Sequence, residues 1–185
     1  MDVRIIEDNK KDFLDLLLLA DEQEDMIDKY LERGTLFALY DDDLKSICVV
    51  TDEGNGVFEI QSLATYPEFQ GRGYAGHLID HVCDHCLNSV LNKDSDDRKD
   101  KRASMILGTG DVPGILAFYE NRGFSVSHRI ENYFTEHYSE PMFEDGVQLI
   151  DKVYLRRELG AATPGEDKVY LRRELGAATP GENSE

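Results

Sequence analysis

Apolar residues recur along this chain at two different spacings, and the spacing switches from segment to segment. Val3 to Glu7 reads as a short opening strand. Phe13, Leu14, Leu17 and Leu18 recur at helical spacing, which predicts a helix over Lys10 to Leu19 with those side chains inward. Met26, Ile27, Tyr30 and Leu31 repeat the pattern, so Glu22 to Arg33 is a second helix, stopped at Gly34. Leu36 to Tyr40 and Ser46 to Thr51 read as strands around the acidic turn Asp41-Asp42-Asp43. Gly54-Asn55-Gly56 is a hairpin signal, and Val57 to Ala64 makes the next strand.

Gly73 to Val90 is a long helix. Leu78, Ile79, Val82, Cys83, Cys86, Leu87 and Val90 form a stripe that faces a sheet. Asn92 to Ala103 is nearly all charged and reads as a solvated loop. Met105 to Gly108 is a buried strand, and Gly114 to Asn121 is a short helix stopped at Gly123. Phe124 to Tyr133 and Val147 to Leu155 are the last strands. This order predicts an α/β protein with one central mixed sheet and helices on its faces.

Composition narrows the function. The chain has 185 residues, 38 Asp plus Glu against 20 Lys plus Arg, and a formal net charge of -18. That argues against non-specific nucleic-acid binding, which needs a basic footprint, and against docking on anionic lipid. A cationic or amine-bearing partner fits it better. No stretch approaches the roughly 18 apolar residues of a membrane span. Asp2, Glu7 and Asp8 make the first residues acidic where a signal peptide is basic, so a cytoplasmic location is expected. Three cysteines, Cys48, Cys83 and Cys86, fit reduced thiols better than a disulfide framework.

Residues 151–166, DKVYLRRELGAATPGE, are repeated letter for letter in residues 167–182. One perfect duplication is not a solenoid, which needs at least three units. Residues 1–155 are therefore expected to form one domain, and 156–185 an extension holding the second copy. The first copy is expected in the sheet. The second is expected at the periphery, exchanged with a neighbouring chain in a homodimer.

The strongest local signal is Gln70-Gly71-Arg72-Gly73-Tyr74-Ala75, between a strand and a long helix. Backbone N–H groups at a helix start are unpaired and carry partial positive charge. Glycine lets an anion approach them closely. The segment is therefore a candidate phosphate or pyrophosphate site, to which Arg72 adds charge. No Gly-Lys-Ser/Thr follows, so it is not a Walker A loop, and its glycine spacing is not that of a dinucleotide fingerprint.

This turn resembles the acyl-CoA motif of the GNAT superfamily of N-acetyltransferases, Gln/Arg-x-x-Gly-x-Gly/Ala, with Gln70, Gly73 and Ala75 at the fixed positions. Ala117-Phe118-Tyr119-Glu120-Asn121-Arg122-Gly123-Phe124 resembles a second motif of that family, in the family's order. The likeness spans Val3 to Leu155. The run from Tyr133 through His137, Tyr138, Pro141, Phe143, Glu144 and Gly146 is similar to a poorly characterised bacterial branch.

The resemblance implies a mostly antiparallel sheet splayed between its fourth and fifth strands, with helices on both faces. It implies acetyl-CoA as co-substrate, no metal, and a small or peptidic primary amine as acceptor. Leu63, Ala64 and Thr65 would offer backbone to the pantetheine arm. Gln70, Gly71, Arg72, Gly73, Tyr74 and Ala75 would hold the pyrophosphate, with Phe118 beside the cofactor. The amine then attacks the thioester directly in a ternary complex. Tyr119 is implied as proton donor to the leaving thiolate. Glu59, eleven residues before Gln70, is the base candidate, with a water chain as the alternative. On a regular strand Glu59, Gln61 and Leu63 share one face. Relatives often carry Asn where this chain has Asp111, which can accept but not donate a hydrogen bond to the cofactor.

Other signals carry less. His77, His81 and His85 recur four residues apart near Cys83 and Cys86, but the cysteines belong to the apolar stripe, so a packed helix flank is expected rather than a metal site. Two acidic groups, Asp21, Glu22, Glu24 and Asp25, and Glu136, Glu140, Glu144 and Asp145, are expected at the acceptor mouth, favouring a cationic amine. A non-catalytic CoA-binding or protein-interaction module on the same fold is the alternative function.

Overall fold

The computed structural model describes residues 1–92, 102–138, 140–144 and 146–160. β1 (Asp2–Ile6) leads through a 3₁₀ turn at Lys10–Phe13 to α1 (Leu14–Ala20) and α2 (Glu24–Leu31). β2 (Thr35–Asp41), β3 (Asp43–Gly54) and β4 (Val57–Thr65) form an antiparallel meander, followed by α3 (Tyr74–Leu91). β5 (Ala103–Gly110), α4 (Pro113–Glu120), β6 (Ser125–Ile130) and α5 (Tyr133–His137) come next. A small hairpin of β7 (Phe143–Glu144) and β8 (Val147–Gln148) precedes β9 (Lys152–Leu159).

Seven strands make one sheet in the order β1-β2-β3-β4-β5-β9-β6. Its β4–β5 pair is parallel, and its other pairs are antiparallel. The alternation of β2 and β3 sends Phe37, Leu39 and Cys48 to one face and Leu36, Ala38 and Ile47 to the other. α3 covers the first face with Leu78, Ile79, Val82, Cys83 and Cys86, as its stripe predicts. α1 and α2 cover the second with Leu16, Leu17, Ile27, Tyr30 and Leu31. The expected layers are thus in place.

The first helix differs in phase. Leu16 and Leu17 are buried, whereas Leu18 is 37% exposed. The opening 3₁₀ turn winds three residues per turn, so the inward face moves.

The carboxyl-terminal half differs more. The predicted strand over Phe124 to Tyr133 ends at Ile130, because Asn132 adopts a left-handed φ of 56° and starts α5. The predicted strand over Val147 to Leu155 is two elements. The Leu149 N–H donates to the Met142 carbonyl (2.9 Å), and the Phe134 N–H donates to that of Ile150 (3.0 Å). Those bonds hold the segment over α5, and β9 starts only at Lys152. β9 then runs past Leu155 to Leu159, between β5 and β6, so the ordered sheet extends beyond residue 155.

β9 belongs to the first copy of the repeat. The second copy, with its expected strand exchange, lies outside the described residues, as do residues 93–101 of the expected loop.

A chain ended after Gly160 should keep a cooperative thermal transition within about 3 °C of the full chain, since surface losses are small. A chain ended after Asp151 loses β9 from the middle of the sheet and should show no such transition by circular dichroism.

Candidate active site

β4 and β5 pair from Val57–Ser104 to Ile60–Leu107 and then separate, although β4 continues to Thr65 and β5 to Gly110. The cause is local. On the other side of β4, Val49 pairs with Ser62 and Val50 with Ile60, so Gln61 is an extra residue, a β-bulge. A bulge bends its strand and increases its twist. It also reverses which side chains face α3. Phe58 and Ile60 belong to the core beneath α3, Leu63 packs against that core, and Ala64 faces α1 and α2. Glu59 and Leu63 therefore do not share a face, contrary to regular alternation.

The gap holds two adjoining cavities, of about 360 Å³ and about 840 Å³. Leu63, Thr65, Gln70, Ile115 and Tyr119 line both, so Tyr119 stands where they meet. Its ring packs edge-on against Phe118 (5.0 Å) and Phe124 (5.7 Å). Burial holds its hydroxyl well above the usual phenol range, so it stays protonated at neutral pH.

The larger cavity opens on the glycine turn. Gly71 and Gly73 take φ of 72° and 88°, which side-chain-bearing residues rarely adopt. Gly73 precedes α3 and offers no side-chain cap, so the first N–H groups of that helix stay available. The Gln70 side-chain amide donates to the Thr65 carbonyl (3.2 Å) and closes the turn. The Tyr74 hydroxyl donates to Asp41 (2.8 Å), fastening α3 to the end of β2. Gly71, Gly73, Tyr74, Ala75 and Phe118 line this cavity. Ala64 lines the smaller one.

Arg72 does not line either cavity; it is exposed, with its guanidinium 5.5 Å from the Phe69 ring centre. Arg122 supplies the positive charge instead. Gly76 has no side chain, and a Cβ there would overlap the Arg122 guanidinium, which lies on the first turn of α3. Asp80 (3.6 Å) and the Phe118 ring (5.0 Å) hold it, while its buried Nε has no hydrogen-bond partner. A buried N–H without an acceptor, beside free helix N–H groups, fits an anion such as a pyrophosphate. Only the contact of Gly76 with Arg122, across the fold, reveals this, so the motif alone did not.

Asp111 also lies outside the cavity lining. Arg129 grips its carboxylate through both guanidinium Nη groups and keeps it at the surface. Glu59 is half-buried and likewise does not line the gap. It lies on the still-paired part of β4, opposite Thr51 and Ile106. Burial raises its carboxyl pKa above the ordinary range. Gln61, next in line, does reach the gap and donates to Thr51 Oγ1 (3.0 Å).

The smaller cavity is walled by Tyr133, Phe134, Tyr138 and Phe143. Of the expected acidic groups only Asp21, Glu22 and Glu144 line it, and Asp145 lies outside the described residues. Burial raises the Asp21 carboxyl pKa, while the Gln23 N–H donates to its Oδ1 (3.4 Å). Lys152 enters from β9.

On α3, burial pushes the Cys83 thiol up to about 11 and Cys86 to about 12, so both stay protonated. His81 and His85 pack against the Phe37 ring at 6.4 and 5.1 Å. Among the described residues, no three His, Cys, Asp or Glu side chains are grouped to hold a metal.

Comparison with known proteins places the chain among relatives of the same fold. "Uncharacterized N-acetyltransferase YvbK" of Bacillus subtilis (strain 168) is 29% identical over 159 residues, spanning 85% of this chain and 96% of that protein. A GNAT family acetyltransferase from Elizabethkingia anophelis, crystallised with acetyl-CoA bound, superposes with a TM-score of 0.74 at 28% identity, over 85% of this chain and 97% of that one. A Bacillus subtilis acetyltransferase in complex with CoA gives 0.73 at 28% identity, over 85% and 98%. Residues 4–107 match the profile of the Acetyltransferase (GNAT) family, and the chain belongs to that family.

Proposed function

We propose that this chain transfers the acetyl group of acetyl-CoA to a primary amine of a small or peptidic acceptor, by direct attack in a ternary complex. The observation that carries the reading is the gap between β4 and β5. It leads from an anion cradle of helix N–H groups and Arg122, past Tyr119, to an aromatic and acidic cavity. The acetyl-CoA and CoA carried by the two solved relatives support the same co-substrate here. The bound co-substrate supplies a thioester carbonyl for attack and a thiolate as leaving group.

The chain's own groups divide the remaining work. The cradle and Arg122 bind the pyrophosphate. The unpaired edge of β4 at Leu63, Ala64 and Thr65 holds the pantetheine arm, and a backbone N–H there receives the developing negative charge. Tyr119 Oη gives its proton to the leaving sulfur. The acceptor arrives as an ammonium, drawn by Asp21, Glu22 and Glu144, and must lose a proton before it can attack. Asp21 lines the cavity and is placed to take that proton. Glu59 can take it only through Gln61 or water, one layer behind.

Tyr119→Phe should lower kcat about 100-fold or more, the scale of general-acid catalysis, with CoA affinity in calorimetry unchanged. Arg122→Ala should raise the CoA Kd about tenfold or more, as loss of a charged hydrogen bond does, with kcat at saturation nearly intact. A carboxylate base works only when ionised, so kcat/KM should fall as pH drops through its raised pKa. Asp21→Asn should abolish that acidic limb in a pH–rate profile, and Glu59→Gln should leave it in place.

A further inference from the structure

Lys152 reaches the smaller cavity through a built passage. It sits at the start of β9, opposite Gly110 of β5. Its stem crosses β5 at Gly108, where a Cβ would overlap the lysine Cε. The ammonium then lies 4.6 Å from the Tyr133 ring centre and 5.3 Å from that of Tyr154. Among the described residues it makes no ion pair within hydrogen-bonding reach. Two aromatic faces hold it in place, and the carboxylates of Asp21 and Glu59 act on it from beyond ion-pair distance. Its sign is unexpected in a chain of net charge -18, inside a cavity that a cationic acceptor must enter.

Asp21 lines the same cavity from the end of α1 and is half-buried. The cavity thus presents one half-buried carboxylate and one ammonium that are not bonded to each other. Between and around them stand Tyr133, Phe134 and Tyr138. A polycationic acceptor would place a positive charge against Lys152, at a cost that grows in a partly dry cavity. An acceptor whose ammonium and carboxylate lie close together satisfies both groups. The aromatic wall then takes an apolar substituent.

We propose that the acceptor is an α-amino acid with an apolar or aromatic side chain, its carboxylate bound by Lys152 and its amine directed by Asp21 toward the acetyl donor. This inference rests on the acetyltransferase reading and narrows its acceptor. Lys152 acts as a binding and specificity residue, and Gly108 admits it.

The test uses the full chain with acetyl-CoA and three acceptors: L-phenylalanine, L-phenylalaninamide and phenethylamine. L-Phenylalanine should show a kcat/KM about tenfold or more above the other two, the scale of one charged hydrogen bond. Lys152→Met should remove that advantage by raising KM for L-phenylalanine without a matching loss on phenethylamine, and Lys152→Arg should keep part of it. Equal or better use of phenethylamine by the wild type would overturn the proposal, as would an equal loss on all three acceptors in Lys152→Met. Binding of N-acetyl-L-phenylalanine and N-acetylphenethylamine, read by calorimetry with CoA present, separates the two levels. Preference for the carboxylate-bearing ligand, lost in Lys152→Met, supports the carboxylate site even where thiol release finds no turnover and the acetyltransferase reading fails. No preference in the wild type rejects the site.

Discussion

The separation of β4 from β5 is the constraint on which the rest depends. Parallel strands gain stability from every rung they share, and these two give up their rungs after Ile60 and Leu107. The extra residue at Gln61 forces the exchange, because a bulged strand twists away from a straight neighbour. What is lost in pairing becomes a backbone edge that lies inside the protein rather than at its rim, its Thr65 carbonyl already taken by the Gln70 amide. The helices on the two faces complete the arrangement. α3 brings its unpaired N–H groups to one end of the gap, and α1 with α5 walls the other.

Charge is distributed against the chain's overall sign where it matters. A net charge of -18 repels an anionic co-substrate at long range. The larger cavity is lined at short range by groups of the opposite sign that salt screens poorly: backbone dipoles at the start of α3 and the partly buried Arg122. A second cation, Lys152, lines the smaller cavity. Each cation passes over a glycine, Gly76 or Gly108, that leaves room for it. A methyl group at either position would push a charge out of the site.

Much of this was legible in the residues. The stripe on α3, the glycine turn at Gly71 and Gly73, and the order of strands follow from periodicity and turn chemistry. Tyr119 follows from the second motif. The rest was hidden for definite reasons. Alternation assumes one residue per rung, so the bulge at Gln61 inverted the faces assigned to Leu63 and Glu59. Arg122 and Lys152 act through contacts with residues far away in the chain, which no local pattern encodes. Arg72 stands in the motif yet points to Phe69, and Asp111 is captured by Arg129. Leu18 turns outward because a 3₁₀ turn shifts the helical phase.

The position of β9 bears on how the molecule is made. Synthesis proceeds from the amino terminus, and domains fold as their residues emerge. Here the last strand described fills an interior slot, between β5 and β6. Until Leu159 has cleared the ribosome, both neighbours expose an unpaired edge, a template for pairing with other chains. Lys152, which lines the smaller cavity, arrives with that strand. The species most exposed to aggregation is therefore the growing chain, not the finished protein.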